Sequence, residues 1–540
     1  MSNTNNSPLT LLSLPSLACW LVASAMPFID LVARDDYASL WYSTNTQARN
    51  VGGFDPLKPT IVMLHPLHVD SEWLYPQLDD PRLFQKYNIV TFDTRLTGAS
   101  FNRFSPKYDL WVAAADLAHA FYHLRMPPAH IFASEVFGYV ALRLASLFPD
   151  LCLSLTLCNV AAQTEPKAVL DGFDELCRLW CYAEDLESFE YACGLHLSYN
   201  AAPDVQPDLA DEIVAYFQMN WPPFKRTNLI SVAQVILNRT AMTADELATI
   251  QCPVLICQAQ SNPIFPVVFA EQLVKDLTGV PGGAILYPVK AAIGFITIFS
   301  ASIVNKVFTN FLTRLPAARS DLTEPAVSLS EAMHAALVRL GEFAGDPEVE
   351  KRDPQSPLSF SRVTEEVRKS QEDTFKAYEK DQRHAFSPLT RDGRPIRKFS
   401  ERKDDWMWLQ IKADRCSYTP PSKVPKVRFK ESKRDSYKSD KSKKDRLHKT
   451  KTKWEDAAPD ASPPPYDTPL EPDELPKPAT AVVLQPVDIP LSEPSSSAEQ
   501  TRARSRRVLA GPVSTVEQHI VKGSMAKVVS HHTTGVRKYL

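Results

Sequence analysis

Between residues 27 and 315, short apolar runs alternate with helical patterns, and that alternation restricts the fold of the 540-residue chain more than any other feature. The runs fall at 27–32, 38–43, 60–64, 88–92, 130–133, 153–158, 254–258 and 284–288. The later ones are short, continuous and β-rich, as expected of strands buried on both faces. Helical patterns fall between them, at 110–124, 137–148, 267–277 and 302–312. Strand–helix–strand order requires a mostly parallel sheet with flanking helices and right-handed crossovers, so the fold class is α/β. Residues 162–250 break the order with aromatic-rich helical sequence (Trp180, Tyr182, Phe189, Tyr191, Phe217, Trp221), which predicts a helical cap over one end of the sheet. Such a cap implies an apolar chamber beneath it, but most of these aromatics are expected to form the cap's own core, and Phe137 is placed to plug the chamber.

Composition divides the chain at about residue 316. The first part carries a net charge of −10 and 38 of the 52 aromatics; the second carries +7. Only the first can build a large core, and the second has the charge, Pro and Ser content of disorder. The boundaries predicted are an N-terminal apolar segment (1–27), a core in two parts (28–161 and 251–316) around the cap (162–250), short helices and linker (317–385), and a disordered, basic and Pro-rich tail (386–540).

Four local motifs sharpen the fold. Residues 60–67 read TIVMLHPL, 93–100 read DTRLTGAS, 131–145 read IFASEVFGYVALRLA and 253–266 read PVLICQAQSNPIFP. In this order and at these distances they resemble the α/β-hydrolase superfamily in its single-domain, cap-bearing branch, over residues 28 to 315. The resemblance implies a nucleophile on a sharp strand-to-helix turn, with the next amide in the oxyanion hole.

The catalytic positions that the resemblance implies are all changed. The turn reads Ala133-Ser134-Glu135-Val136-Phe137, which puts Glu135 at the nucleophile position, and Phe137 stands where the family has Gly. Asn262 stands at the acid position and Gly294 at the histidine position. No histidine occurs between His196 and His334, so a small misalignment does not restore the base. The oxyanion-hole candidates are the amides of Leu67 and Val136. His65 and His68 follow the third strand and are the auxiliary candidates for a base beside Glu135. At a helix N-terminus the macrodipole favours a negatively charged Glu135. Asp93 and Arg95 are read as fixing a turn.

Nine cysteines without a pair of CxxC motifs argue against zinc and for a reducing, intracellular compartment, cytoplasmic or nuclear. His119 and His123 are four apart on a helix with no third ligand, so no metal and no cofactor is expected. Residues 9–29 are apolar and uncharged but lack a basic n-region and contain prolines, so secretion and membrane anchoring are disfavoured.

The tail holds binding motifs. Pro463-Pro464-Pro465-Tyr466 fits the P-P-x-Y ligand of WW domains, a preformed polyproline II ridge. Residues 423–453 carry 14 Lys+Arg against 4 acids, a surface for nucleic acid or anionic lipid. Residues 404–409 (DDWMWL) form an isolated apolar island. Three functional readings follow. In the first, the hydrolase fold has lost turnover and serves as a scaffold or binds a small apolar ligand, with a partner-recruiting tail. In the second, it is an active hydrolase of esters, epoxides or related substrates using Glu135 as nucleophile or base. In the third, the tail acts and the head anchors it. Oligomeric state is not legible.

Overall fold

The computed structural model describes residues 27–200, 205–291, 294–322 and 324–402. All of these lie in one compact unit. Nine strands form one sheet: β1 (Phe28–Val32), β2 (Tyr37–Thr44), β3 (Thr60–Leu64), β4 (Asn88–Phe92), β5 (Phe101–Asn102), β6 (Ala129–Ser134), β7 (Cys152–Cys158), β8 (Val254–Ala259) and β9 (Ile285–Val289). Their order is β1-β2-β4-β3-β6-β7-β8-β9, with β5 beside β2. From β4 to β9 every pairing is parallel; β2 pairs antiparallel with β1, β4 and β5. The eight apolar runs correspond to eight of these strands within two residues. The two-residue β5 was not anticipated, because Phe101-Asn102 is too short to show a period.

Every residue of β3, β4, β6 and β8 is buried. Alternate side chains face opposite layers. Val62, Leu64, Val90, Ile131 and Leu155 face α1 (Leu110–His123) and α2 (Gly138–Leu147). Ile61, Met63, Ile89, Phe132 and Leu255 share the other layer with Val304, Phe308 and Phe311 of a later helix, Ala301–Leu312. Asp109 caps α1 by accepting from the Trp111 and Val112 amides at 3.0 and 2.9 Å.

The cap between β7 and β8 consists of α3 (Lys167–Cys181), α4 (Leu186–Asn200), α5 (Pro207–Asn220), α6 (Arg226–Leu237) and α7 (Ala244–Ala248). After it come α8 (Val267–Asp276) and α9 (Ala301–Leu312), which complete the core. Most of the cap aromatics pack on one another: Trp180 lies 5.3 Å from Phe189 and 5.5 Å from Phe217, ring centre to ring centre.

The predicted disordered tail begins too early. Residues after α9 run back over the head as far as 402. Helix α10 (Leu329–Ala344) buries Met333, Ala336, Leu337 and Leu340, and a Ser328–Glu331 capping box starts it. Helix α11 (Glu365–Glu379) packs along α6. Beyond it, residues 386–402 reach the cap, with Phe399 buried. The reason is pairing of charges that composition alone counts as solvated. Arg397 makes a two-pronged bond to Glu190 (3.0 and 2.5 Å), and Glu190 is itself almost fully buried. Arg226 of α6 donates to the carbonyls of Tyr378 and Lys380. Ser400 gives both its amide and its hydroxyl to Asp211 (2.7 and 2.8 Å). This strap ties the cap down from outside. The 404–409 island, the basic run 423–453 and Pro463–Tyr466 lie outside the described residues.

Removing Arg397 leaves Glu190 buried without its partner. Arg397→Ala should therefore destabilise the protein by about 2–3 kcal/mol, the usual cost of stranding a buried charged acceptor. Thermal unfolding measures the loss, and faster amide exchange confined to α4 and α5 would locate it.

Candidate functional site

The order of β4, β3 and β6 places a switch point at the carboxyl ends of β3 and β6, where chain connections depart to opposite sides. The loops carrying His65–His68 and Glu135 meet there.

Strand β6 ends at Ser134 and α2 starts at Gly138. The chain turns at Glu135, whose φ of 54° lies in the left-handed region. A side-chain-bearing residue there is strained, and such strain concentrates at functional turns. Glu135, Val136 and Phe137 are all buried. The Glu135 side chain folds back toward the loop after β3, where its Oε2 accepts from the Leu67 amide at 3.1 Å. Its Oε1 is buried with no hydrogen-bond partner. So one of the two oxyanion candidates, Leu67, is occupied by the chain's own carboxyl group.

The helix N-terminus does not keep this group charged. Burial raises the Glu135 carboxyl from its ordinary 4.5 to about 8, and the Leu67 bond opposes that only in part. Desolvation outweighs the one amide that reaches the carboxylate. At neutral pH Glu135 is mostly protonated.

The two auxiliary histidines separate into different roles. His65 is fully buried, with Nδ1 2.8 Å from the Pro66 carbonyl. Its Nε2 faces the Thr94 amide (3.3 Å) and the Thr97 hydroxyl (3.1 Å). It fastens the loop after β3 to the loop after β4, and makes no bond to Glu135. In that second loop Asp93 accepts from the Ser71 and Ala99 amides (2.9 and 2.8 Å). Arg95 bridges Asp36 and Asp116 with paired bonds of 2.6–2.9 Å. Both residues hold turns, as their pattern indicated. Gly98, at φ 52°, is required because a Cβ there would collide with the Asp93 carboxylate.

His68 has a left-handed backbone too, with φ 62°. Its ring is buried and neither nitrogen has a partner. It stacks on Phe173 at 5.7 Å and meets His196 of the cap edge-on at 4.6 Å. Burial, then the neighbouring His196, push its imidazole well below the usual range, and burial takes His196 to about 3. Two neutral imidazoles thus face each other across the boundary between sheet and cap. Sequence reading did not single out His196: nothing local distinguishes it from other residues on a helix that buries aromatics.

The remaining two positions serve structure. Asn262 accepts from the amides of Ile264 and Phe265 (2.7 and 3.0 Å), closing its own loop after β8. Gly294 lies after β9, beneath the end of α4. A Cβ at this position would stand 2.5 Å from the Asn200 carbonyl oxygen and 2.8 Å from its carbon. Asn200 also accepts from the Phe295 amide at 3.0 Å, and Asn159 donates to the Gly294 carbonyl. No side chain fits at residue 294 with the cap seated as it is.

Two cavities below the cap are small. One cavity of ≈ 10 Å³ is lined by His68, Phe173, Trp180, His196, Phe217 and Trp221. Another of ≈ 20 Å³ lies by Leu67, Val136 and Phe137. Each has room for about one water, against ~300–1,000 Å³ in ordinary ligand sites. The cap's aromatics pack on one another as its own core, as expected for most of them. Among the described residues no three His, Cys, Asp or Glu side chains converge to hold a metal ion, and His119 and His123 stack on each other at 6.2 Å.

Glu135 titrates differently in the folded and unfolded chain, and this fixes a pH dependence. Between about 4.5 and 8 the folded protein holds a proton that the unfolded chain releases, so this group's contribution falls as pH rises through that window and is level above it. Glu135→Gln removes the titration. It should gain stability over the parent progressively up to about pH 8. The gain is a few kcal/mol at most, at about 1.4 kcal/mol per tenfold change in proton affinity. Denaturant unfolding of both proteins from pH 5 to pH 9 checks it.

No family model matches the chain. Its structure is similar to an enol-lactonase from Burkholderia xenovorans LB400, with 19% identity, TM-score 0.42, and 51% of this chain and 97% of that one covered. It is similar to a thermophilic esterase from Thermogutta terrifontis, with 15% identity, TM-score 0.43, and 53% and 98% covered. A hydrolase from Pseudomonas aeruginosa PA01 is similar at 20% identity, TM-score 0.43, and 53% and 98% covered. The strand order, the cap inserted between β7 and β8, and the strained turn after β6 are features of this chain itself, and by them it has the α/β-hydrolase fold.

Proposed function

We infer that this α/β-hydrolase-fold protein has lost hydrolytic turnover and serves as a scaffold, with a tail that recruits partners. One observation carries the reading: the Glu135 carboxyl is bonded to the Leu67 amide, where a hydrolase would hold its oxyanion. Two others support it. Gly294 has no space for a histidine, so nothing at that position can activate water. The cavities are too small for an ester, which favours a scaffold over a binder of small apolar ligands. The alternative, hydrolysis by Glu135, draws on its raised proton affinity and unpartnered Oε1, both compatible with an acid–base role.

The test is to incubate the full-length chain with aryl esters, epoxides and haloalkanes and follow product and intact mass. The expected result is no turnover above that of Glu135→Gln and no covalent adduct. Turnover abolished by Glu135→Gln would establish a hydrolase and sink the scaffold reading. An adduct at Glu135 without turnover would mark a reactive carboxylate that lacks its base.

For the tail, the reading assigns residues 463–466 to WW-domain partners and 423–453 to an anionic partner, nucleic acid or lipid. The seven described cysteines are all free, which supports an intracellular setting, cytoplasmic or nuclear. No helix among the described residues is long and apolar enough to cross a membrane. Tyr466→Ala should weaken binding of the full chain to an isolated WW domain by at least about tenfold, since the ring fills the aromatic groove. Calorimetric titration reads that loss; equal affinity would remove the motif from the account.

A further inference from the structure

At the hairpin end of the sheet, no described residue closes over one face. Register pairs Phe28 with Trp41, Asp30 with Ser39, Val32 with Tyr37, and Ser39 with Phe101. Paired residues share a face, so the aromatic and apolar side chains at 28, 32, 37, 41 and 101 all point the same way. The opposite face is closed: Ile29, Leu31, Ala38 and Leu40 are at most 5% exposed. On the open face Val32 is 70% and Phe101 64% exposed. Phe28, Tyr37 and Trp41 are half-buried, with Phe28 against Trp41 at 5.0 Å and Tyr37 against Phe101 at 6.0 Å. A clustered apolar surface of this kind normally has an occupant.

The chain carries a fitting segment next to it. Before Asp30 there is no charged side chain at all, and residues 9–26 include six leucines and Trp20. This stretch joins the open face at its corner through Pro27, whose carbonyl accepts from the Tyr42 amide at 2.9 Å. Three strands are about 10 Å across and five residues about 17 Å long. Eighteen residues reach ~60 Å when extended, enough to cross that area more than once.

We propose that residues 9–26 lie across the β1–β2–β5 face and cover it in cis. Both surfaces are apolar, so each removes the other from water. Tethering sets the effective concentration of the segment near the millimolar range, which a second copy of the chain must exceed to displace it. Asp30 decides against a lipid surface. Its carboxylate sits on this face beside the Tyr37 hydroxyl (3.4 Å), and hydrocarbon would leave it without solvation. The segment brings Thr10, Ser13, Ser16 and Ser24, whose hydroxyls can donate to it.

Native Cys19 lies within the segment and reports its position in the full-length protein. Phe101→Cys and Val32→Cys each place a thiol on the face. Leu57→Cys, at a site 70% exposed and outside these strands, is the control. Under mild oxidation, peptide mapping should show Cys19 linked within the same chain to position 101 or 32 at least about tenfold faster than to 57. Equal rates to all three sites, or no link to 101 or 32, would overturn the proposal. So would two further results: a Cys19 link between two chains, showing a second copy on the face, or flotation of the full chain with phosphatidylcholine vesicles that is lost when residues 1–24 are deleted.

Discussion

A parallel sheet buried on both faces is the constraint from which the rest follows. Every residue of β3, β4, β6 and β8 is out of water. Parallel strands need crossover connections, and those crossovers supply the helices that cover the sheet. Connections leave β3 and β6 toward opposite layers, so their carboxyl ends form a cleft. The loops bearing Leu67, His68 and Glu135 meet in that cleft as a result of strand order.

The cleft carries backbone strain at its centre. Glu135 holds a left-handed backbone, and its side chain turns into the loop after β3. Burial with one amide donor favours the neutral acid, so Glu135 is mostly protonated at neutral pH. Around it the polar residues act as fasteners. His65 joins two loops, Asn262 closes one, and Asp93 and Arg95 hold the turn after β4.

Cap and strap complete the closure. The end of α4 rests on Gly294, and His196 is set against His68. From outside, Arg397, Arg226 and Ser400 tie residues 378–402 to the cap helices. The strap is polar in sequence and has little apolar area to bury, so its attachment rests on paired charges and backbone acceptors. Glu190 illustrates the balance: burial lifts its carboxyl above the ordinary range, with Arg397 pulling the other way.

The sequence by itself determined the strands, the crossover helices and the cap's place in the chain. Each is written in local periodicity or in a short motif, and a two- or four-residue period survives whatever the tertiary context. Only the tertiary structure decided that Glu135 is neutral and bonded to Leu67, and that residues 386–402 belong to the folded head. Those outcomes depend on contacts between residues far apart in the chain, such as Glu135 with Leu67, Gly294 with Asn200 and Arg397 with Glu190. Burial and the distance between partners set a proton affinity or the strength of an ion pair, and neither quantity exists until the chain has folded.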